Sequence, residues 1–203
     1  MIARTPINPG SIDWTGENPG IYLKNALDGP YTCLASFFRV FYSPHGSGHS
    51  LFLLWDPQKE HPFNAIYTDN ERLSEWLRDN FVARFAAFRG NLILPSLPVR
   101  RAGSYGRGGD PRSEYSEVIG SQSEEIRLTW RGLTEPYYLQ MPPANSATGV
   151  HELFSVFLDA RDAEVVVNGE RGLGSVYPRD FFGRQGSNAF LAFSETWVGP
   201  GRP

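Results

Sequence analysis

The chain has one cysteine, two lysines and no apolar run of the length a membrane span needs. The lone cysteine, Cys33, excludes an intramolecular disulfide and any site built from several cysteines. It sits in the apolar run Tyr31-Thr32-Cys33-Leu34-Ala35, where a buried inert thiol is the plainer expectation than a nucleophile. Met1 to Gly10 holds one arginine, two prolines and no apolar core, so no signal peptide is read there and a cytoplasmic setting is expected. A net charge of −3 argues against a general role on nucleic acid or anionic membranes, which rests on a basic surface field. Lys24 and Lys59 are the lysines and the remaining cations are arginines, so each arginine is read by its neighbours.

What the chain does have is aromatic residues (14%), 21 glycines and 16 prolines in 203 residues. That mixture favours short strands punctuated by turns over long helices, in a length that suits one domain over residues 1–203. Asn8-Pro9-Gly10 and Asn18-Pro19-Gly20 read as two turns framing a strand. Strands are expected at Tyr31 to Tyr42, Ser50 to Trp55, Glu125 to Trp130, Pro136 to Met141, Val150 to Leu158, Glu164 to Val167, Gly174 to Tyr177 and Ala189 to Val198. Asn168-Gly169 after Val165-Val166-Val167 marks a tight hairpin. One amphipathic helix is expected from near Thr68, with Thr68 and Glu71 at capping-box spacing and Leu73, Trp76, Leu77, Phe81, Phe85 and Phe88 on one side. Residues 95–112, rich in glycine and arginine, read as a flexible loop.

These elements describe a mainly-β domain, an antiparallel barrel with one covering helix, with a β-sandwich as the alternative. In strand spacing alone it resembles lipocalin-like barrels, and no motif carries the likeness further. The likeness implies an interior able to hold a ligand.

Side chains alternate between the two faces of a strand. In Tyr31 to Tyr42, Arg39 shares a face with Cys33, Ala35, Phe37 and Phe41, so it must be paired if buried. Glu195 falls with Leu191, Phe193 and Trp197, and Glu152 with Phe154, Val156 and Leu158. Both carboxyls are therefore expected in an apolar interior that raises their pKa, with His151 beside them on the opposite face of its strand. The functional expectation is a cofactor-independent enzyme, of lyase, isomerase or hydratase type, acting on a small hydrophobic or aromatic molecule inside the barrel. Arg39 would hold an anionic group, Glu195 or Glu152 would transfer the proton with His151 assisting, and Tyr137, Tyr138, Tyr177 and Trp197 would shape the site.

A non-catalytic binder of a similar ligand is the first alternative, and a structural Arg39–glutamate ion pair the plainest one. A metal-dependent barrel enzyme using His45, His49 and His61 stands third, against the simpler reading of a solvated histidine-bearing loop. Gly103 to Gly109 lacks the lysine and threonine or serine of a phosphate-binding loop, and no hydrolase serine elbow is present. No nucleic acid or membrane partner is expected, while edge strands and the aromatic excess allow a homodimer.

Overall fold

In the computed structural model, residues 12–181 and 183–200 are described. Asn8-Pro9-Gly10 lies outside them. The strands are β1 (Ile12–Glu17), β2 (Gly20–Lys24), β3 (Tyr31–Tyr42), β4 (Gly48–Leu54), β5 (Ala65–Thr68), β6 (Val99–Gly109), β7 (Glu114–Ser121), β8 (Glu125–Leu133), β9 (Tyr137–Met141), β10 (Glu152–Val167), β11 (Glu170–Arg171), β12 (Pro178–Phe181), β13 (Arg184–Ser187) and β14 (Ala189–Val198), with one α-helix, α1 (Glu71–Asn80). Nine of them close a mostly antiparallel barrel in the order β14-β2-β3-β4-β5-β6-β7-β8-β10. β10 makes the closure, pairing β14 through residues 152–159 and β8 through residues 160–167. β9 lies beside β10, and β12 and β13 form a separate hairpin.

Alternation on β3 divides the core into two. Cys33, Ala35 and Phe37 point into the barrel with Leu51, Leu53 and Trp130, so the interior is a packed core. Leu34, Phe38 and Val40 point outward into a second cluster beneath α1 and the segment that follows it. There Trp14 meets Phe38 and Phe81 edge-on at ring-centroid separations of 5.4 and 5.9 Å, and Phe81 meets Trp197 at 5.3 Å. Each such pair contributes about 0.5–1.5 kcal/mol beyond simple burial.

Several expectations change. Asn18-Pro19 does not reverse the chain. It breaks a strand that continues, since β1 and β2 both pair with β3 and β14. The break is held by the Asn18 amide, which donates to Ser36 Oγ (3.0 Å) and Phe37 O (3.1 Å). The helix begins at Glu71, capped by Asn70, whose side chain accepts from Leu73 N at 3.1 Å, while Thr68 stays in β5. The strands expected at 150–158 and 164–167 are parts of one long strand, Glu152–Val167, which Val150 and His151 precede, and Gly174 to Tyr177 makes a single bridge, Ser175 to Lys24.

The 95–112 segment, expected as a loop, contains β6. It runs parallel to β5 over residues 99–101 and antiparallel to β7 over 102–109. Its ladder is made by the backbone, so glycine and serine on the outward side do not prevent it. The Asn168-Gly169 turn forms as expected, with positive φ at both residues. No helix among the described residues is long and apolar enough to cross a membrane.

Candidate functional site

Outside the barrel wall, between the outer core and its cover, lies a cavity of about 310 Å3. The wall side comes from Tyr22 on β2, Leu153 and Phe157 on β10, and Phe190, Glu195 and Trp197 on β14. The cover comes from Phe85, Ala86 and Ala87 after α1, from Ala147, and from Arg179 and Phe181 on the β12–β13 hairpin. Four larger grooves are more open, and in the two of about 780 Å3 beside His49 and Asp69 and about 730 Å3 beside Arg100 and Glu124 those charges already pair with one another.

Glu195 reaches the cavity because β14 carries a bulge. Opposite β10, Phe193 pairs with Val156 and Thr196 with Phe154, so Ser194 and Glu195 together face Ser155. Ser194 adopts φ +53°, the left-handed geometry of a bulge residue. The extra residue shifts the alternation. Leu191 and Phe193 face the barrel interior, whereas Trp197 packs in the outer cluster and Glu195 opens beside it. Simple alternation put all four on one interior face.

The Glu195 carboxyl is 3% exposed and has no cation beside it among the described residues. Trp197 Nε1 donates to Oε1 at 2.6 Å and Ser155 Oγ to Oε2 at 3.5 Å. Burial dominates over these two hydrogen bonds and pushes its pKa up to about 8. Tyr22, also fully buried, is pushed up to about 12.

Arg179 is the other polar group of note. Its guanidinium stacks over Phe181 and Phe190 at 4.4 and 4.5 Å from their ring centres, with Tyr22 at 5.9 Å. It makes no hydrogen bond or ion pair with any described residue, and Nε is buried without a partner. Burial holds its pKa below the usual arginine value. The sequence reading passed over Arg179. The signal available was the Asp180-to-Gly183 turn, where Gly183 N donates to Asp180 Oδ1 at 2.8 Å, which marks a hairpin presenting its flanking residues.

The other expected site residues lie elsewhere. Arg39 sits on the interior face and is consumed there. Its Nη1 donates to Glu17 Oε2 (2.6 Å) and Glu117 Oε1 (3.0 Å), and its Nη2 to Glu117 Oε2 (2.7 Å). Arg107 joins both carboxylates and Tyr115 donates to Glu117, closing one end of the barrel with an ionic plug. Arg39 therefore ties β1, β3 and β7 together and has no donor pair left for a ligand anion.

Glu152 is half-exposed and takes a hydrogen bond from Gln140 at 3.0 Å, because the buried set on that part of β10 is Leu153, Ser155 and Phe157. His151 is buried, but it is a clasp. Nε2 meets Asp13 at 2.7 Å and Nδ1 meets Thr148 at 2.8 Å, joining β1 to the loop before β10. Its ring touches Trp197 from outside the cavity lining.

Tyr137 stacks on Phe157 behind the cavity, Tyr138 is 75% exposed, and Tyr177 reaches Asn25 O. His45 lies tilted against Trp76, His49 stacks on Tyr105 with Asp69 at Nδ1, and His61 stacks beside Trp55. Each histidine thus has its own surroundings, and among the described residues no group of three or more His, Cys, Asp or Glu is placed to hold a metal ion.

Of the expected set, then, the structure brings only Glu195 and Trp197 to the cavity, and adds Arg179, Tyr22, Phe157 and Phe190. Comparison of the chain with protein-family models, with curated proteins and with solved structures returned no match, so a functional reading rests on this site alone.

Proposed function

We propose that the protein binds a small, mostly apolar anion in the wall cavity, Arg179 holding the charge and the surrounding rings enclosing the body. The observation that carries this reading is the Arg179 guanidinium, packed over two rings with no carboxylate hydrogen-bonded or ion-paired to it among the described residues, Asp159 acting on it only through space. A partly desolvated cation gains from an anion that completes it, and a planar guanidinium matches a carboxylate with two parallel hydrogen bonds. Ligand sites typically span about 300–1,000 Å3, so this cavity suits a molecule of one or two rings. The test is calorimetric titration with benzoate and naphthoate. Wild-type protein binds at least one of them, and Arg179→Met weakens it about 30-fold or more. Equal affinity in the folded variant rejects the reading.

A second reading, cofactor-independent proton transfer on the bound molecule, is favoured by the Glu195 carboxyl. A group titrating near 8 both gives and takes protons close to neutral pH. The acetyl protons of para-acetylbenzoate provide the assay, through their exchange with D2O followed by NMR. Faster exchange with wild type than with Glu195→Gln supports it, and equal rates remove Glu195 from proton transfer.

A further inference from the structure

The cavity has two polar ends of different character. Arg179, from β12, supplies a cation with no hydrogen-bonded or ion-paired carboxylate among the described residues, Asp159 acting on it only through space. Glu195, from β14, supplies a carboxyl whose only hydrogen-bond partners among the described residues are the Trp197 and Ser155 donors. The two are not ion-paired, and Tyr22 on β2 senses both, Arg179 drawing its pKa down and Glu195 pushing it up. The remaining titratable groups on the lining are Tyr31 on β3 and Asp180 on β12, and neither bonds to Glu195. From the clasp behind Trp197, His151 and Asp13 bond to each other. Among the described residues, no cation is hydrogen-bonded or ion-paired to Glu195, and Arg179 is the cation that shares its cavity.

A buried carboxyl so placed keeps its proton, as the upward pKa shift also indicates. The short bond from Trp197 fixes Oε1 as the accepting carbonyl oxygen, which leaves Oε2 to carry the hydrogen. Oε2 has only the 3.5 Å Ser155 contact, so this hydrogen is scarcely used within the protein. An arenecarboxylate without further polar groups would engage one end of the cavity and leave the other unsatisfied.

We propose, resting on the anion-binding reading, that the ligand is an acid with a remote hydrogen-bond acceptor such as a ketone, its carboxylate on Arg179 and its acceptor on the hydroxyl of Glu195. The body between them is apolar and flat, to lie among Tyr22, Phe157 and Phe190. This is a class of keto acid in which the two polar groups stand at opposite ends of a ring system.

The experiment compares para-acetylbenzoate with para-ethylbenzoate, and the corresponding naphthoates with each other, by calorimetry on the full chain. At about pH 6.5 one acetyl acid binds about three- to tenfold tighter than its ethyl counterpart, the effect of one net hydrogen bond. At about pH 9.5, above the Glu195 pKa of about 8, the donor has become an anion and the advantage disappears. Glu195→Gln keeps a donor that does not titrate, so in that variant the acetyl preference persists at both pH values, an outcome a merely structural carboxyl would not produce. Acids that bind through Arg179 with no acetyl preference at the lower pH overturn this proposal and leave the anion site standing. If no acid binds, or Arg179→Met binds all of them as wild type does, the anion site itself falls and this proposal with it.

Discussion

Two arginines, the buried Arg39 and the partly buried Arg179, differ in what surrounds them. At the end of the barrel, Arg39 and Arg107 meet Glu17 and Glu117, so two cations face two carboxylates and Tyr115 adds a further donor. In the wall cavity, among the described residues, Arg179 packs over aromatic rings with no carboxylate hydrogen-bonded to it, and Glu195 takes its hydrogen bonds from neutral donors. The first cluster is complete within the chain and its role is to hold strands that are far apart in sequence. The second is incomplete at both ends. Residue type is shared, and the difference lies in whether the chain itself supplies the hydrogen-bonded partner.

That contrast can be broken by mutation, and the largest effect falls on the complete cluster. Arg39→Met strips the buried Glu117 of its bidentate partner, and urea unfolding should show a loss of about 3–5 kcal/mol. A loss below about 1 kcal/mol would mean that the plug does not hold the barrel end.

Glu195→Gln has an intermediate and pH-dependent effect. The folded-state pKa of about 8 lies above the ordinary carboxyl value of 4.5, so the native state binds the proton more tightly than the unfolded chain. The stability this provides is full below pH 4.5 and is lost as pH rises through about 8. Thermal unfolding should therefore find the Gln variant gaining on wild type across that window and level with it below. A gap that does not change with pH would place the titration elsewhere.

The smallest effect is expected at Arg179. Because no carboxylate among the described residues loses a hydrogen bond with it, Arg179→Met should unfold within about 1 kcal/mol of wild type in the same urea assay. A loss as large as that of Arg39→Met would make Arg179 a structural residue and dissolve the comparison.

Much of the barrel was legible from alternation. Tyr31–Tyr42 and Ala189–Val198 are strands at the bounds expected, and the two faces of β3 divide the cores as their parity indicates. Parity also placed Arg39 in the interior and required a buried partner, although it could not name Glu17 or Glu117, which lie on distant strands. What parity cannot see is a bulge without glycine. Ser194 looks like any polar strand residue, yet its left-handed backbone moves Glu195 from the interior to the outer wall. β6 was hidden for the opposite reason, since a strand made of glycine, serine and arginine has no apolar alternation to read. Arg179 was hidden because its rings come from β12 and β14 as well as β2, a convergence no local window contains.

β5 and β6 run side by side in the same direction, and a parallel pair cannot be joined by a tight turn. The chain between them, residues 69–98, has to travel the length of the barrel on its outside before it can re-enter the sheet. That return path carries α1 and then Phe85, Ala86 and Ala87, the residues that roof the cavity. A barrel wound entirely from hairpins would have had no reason to cross its own outer surface. The chamber is therefore a by-product of how the sheet is threaded, and shortening the return path would unroof it while leaving the antiparallel ladders intact.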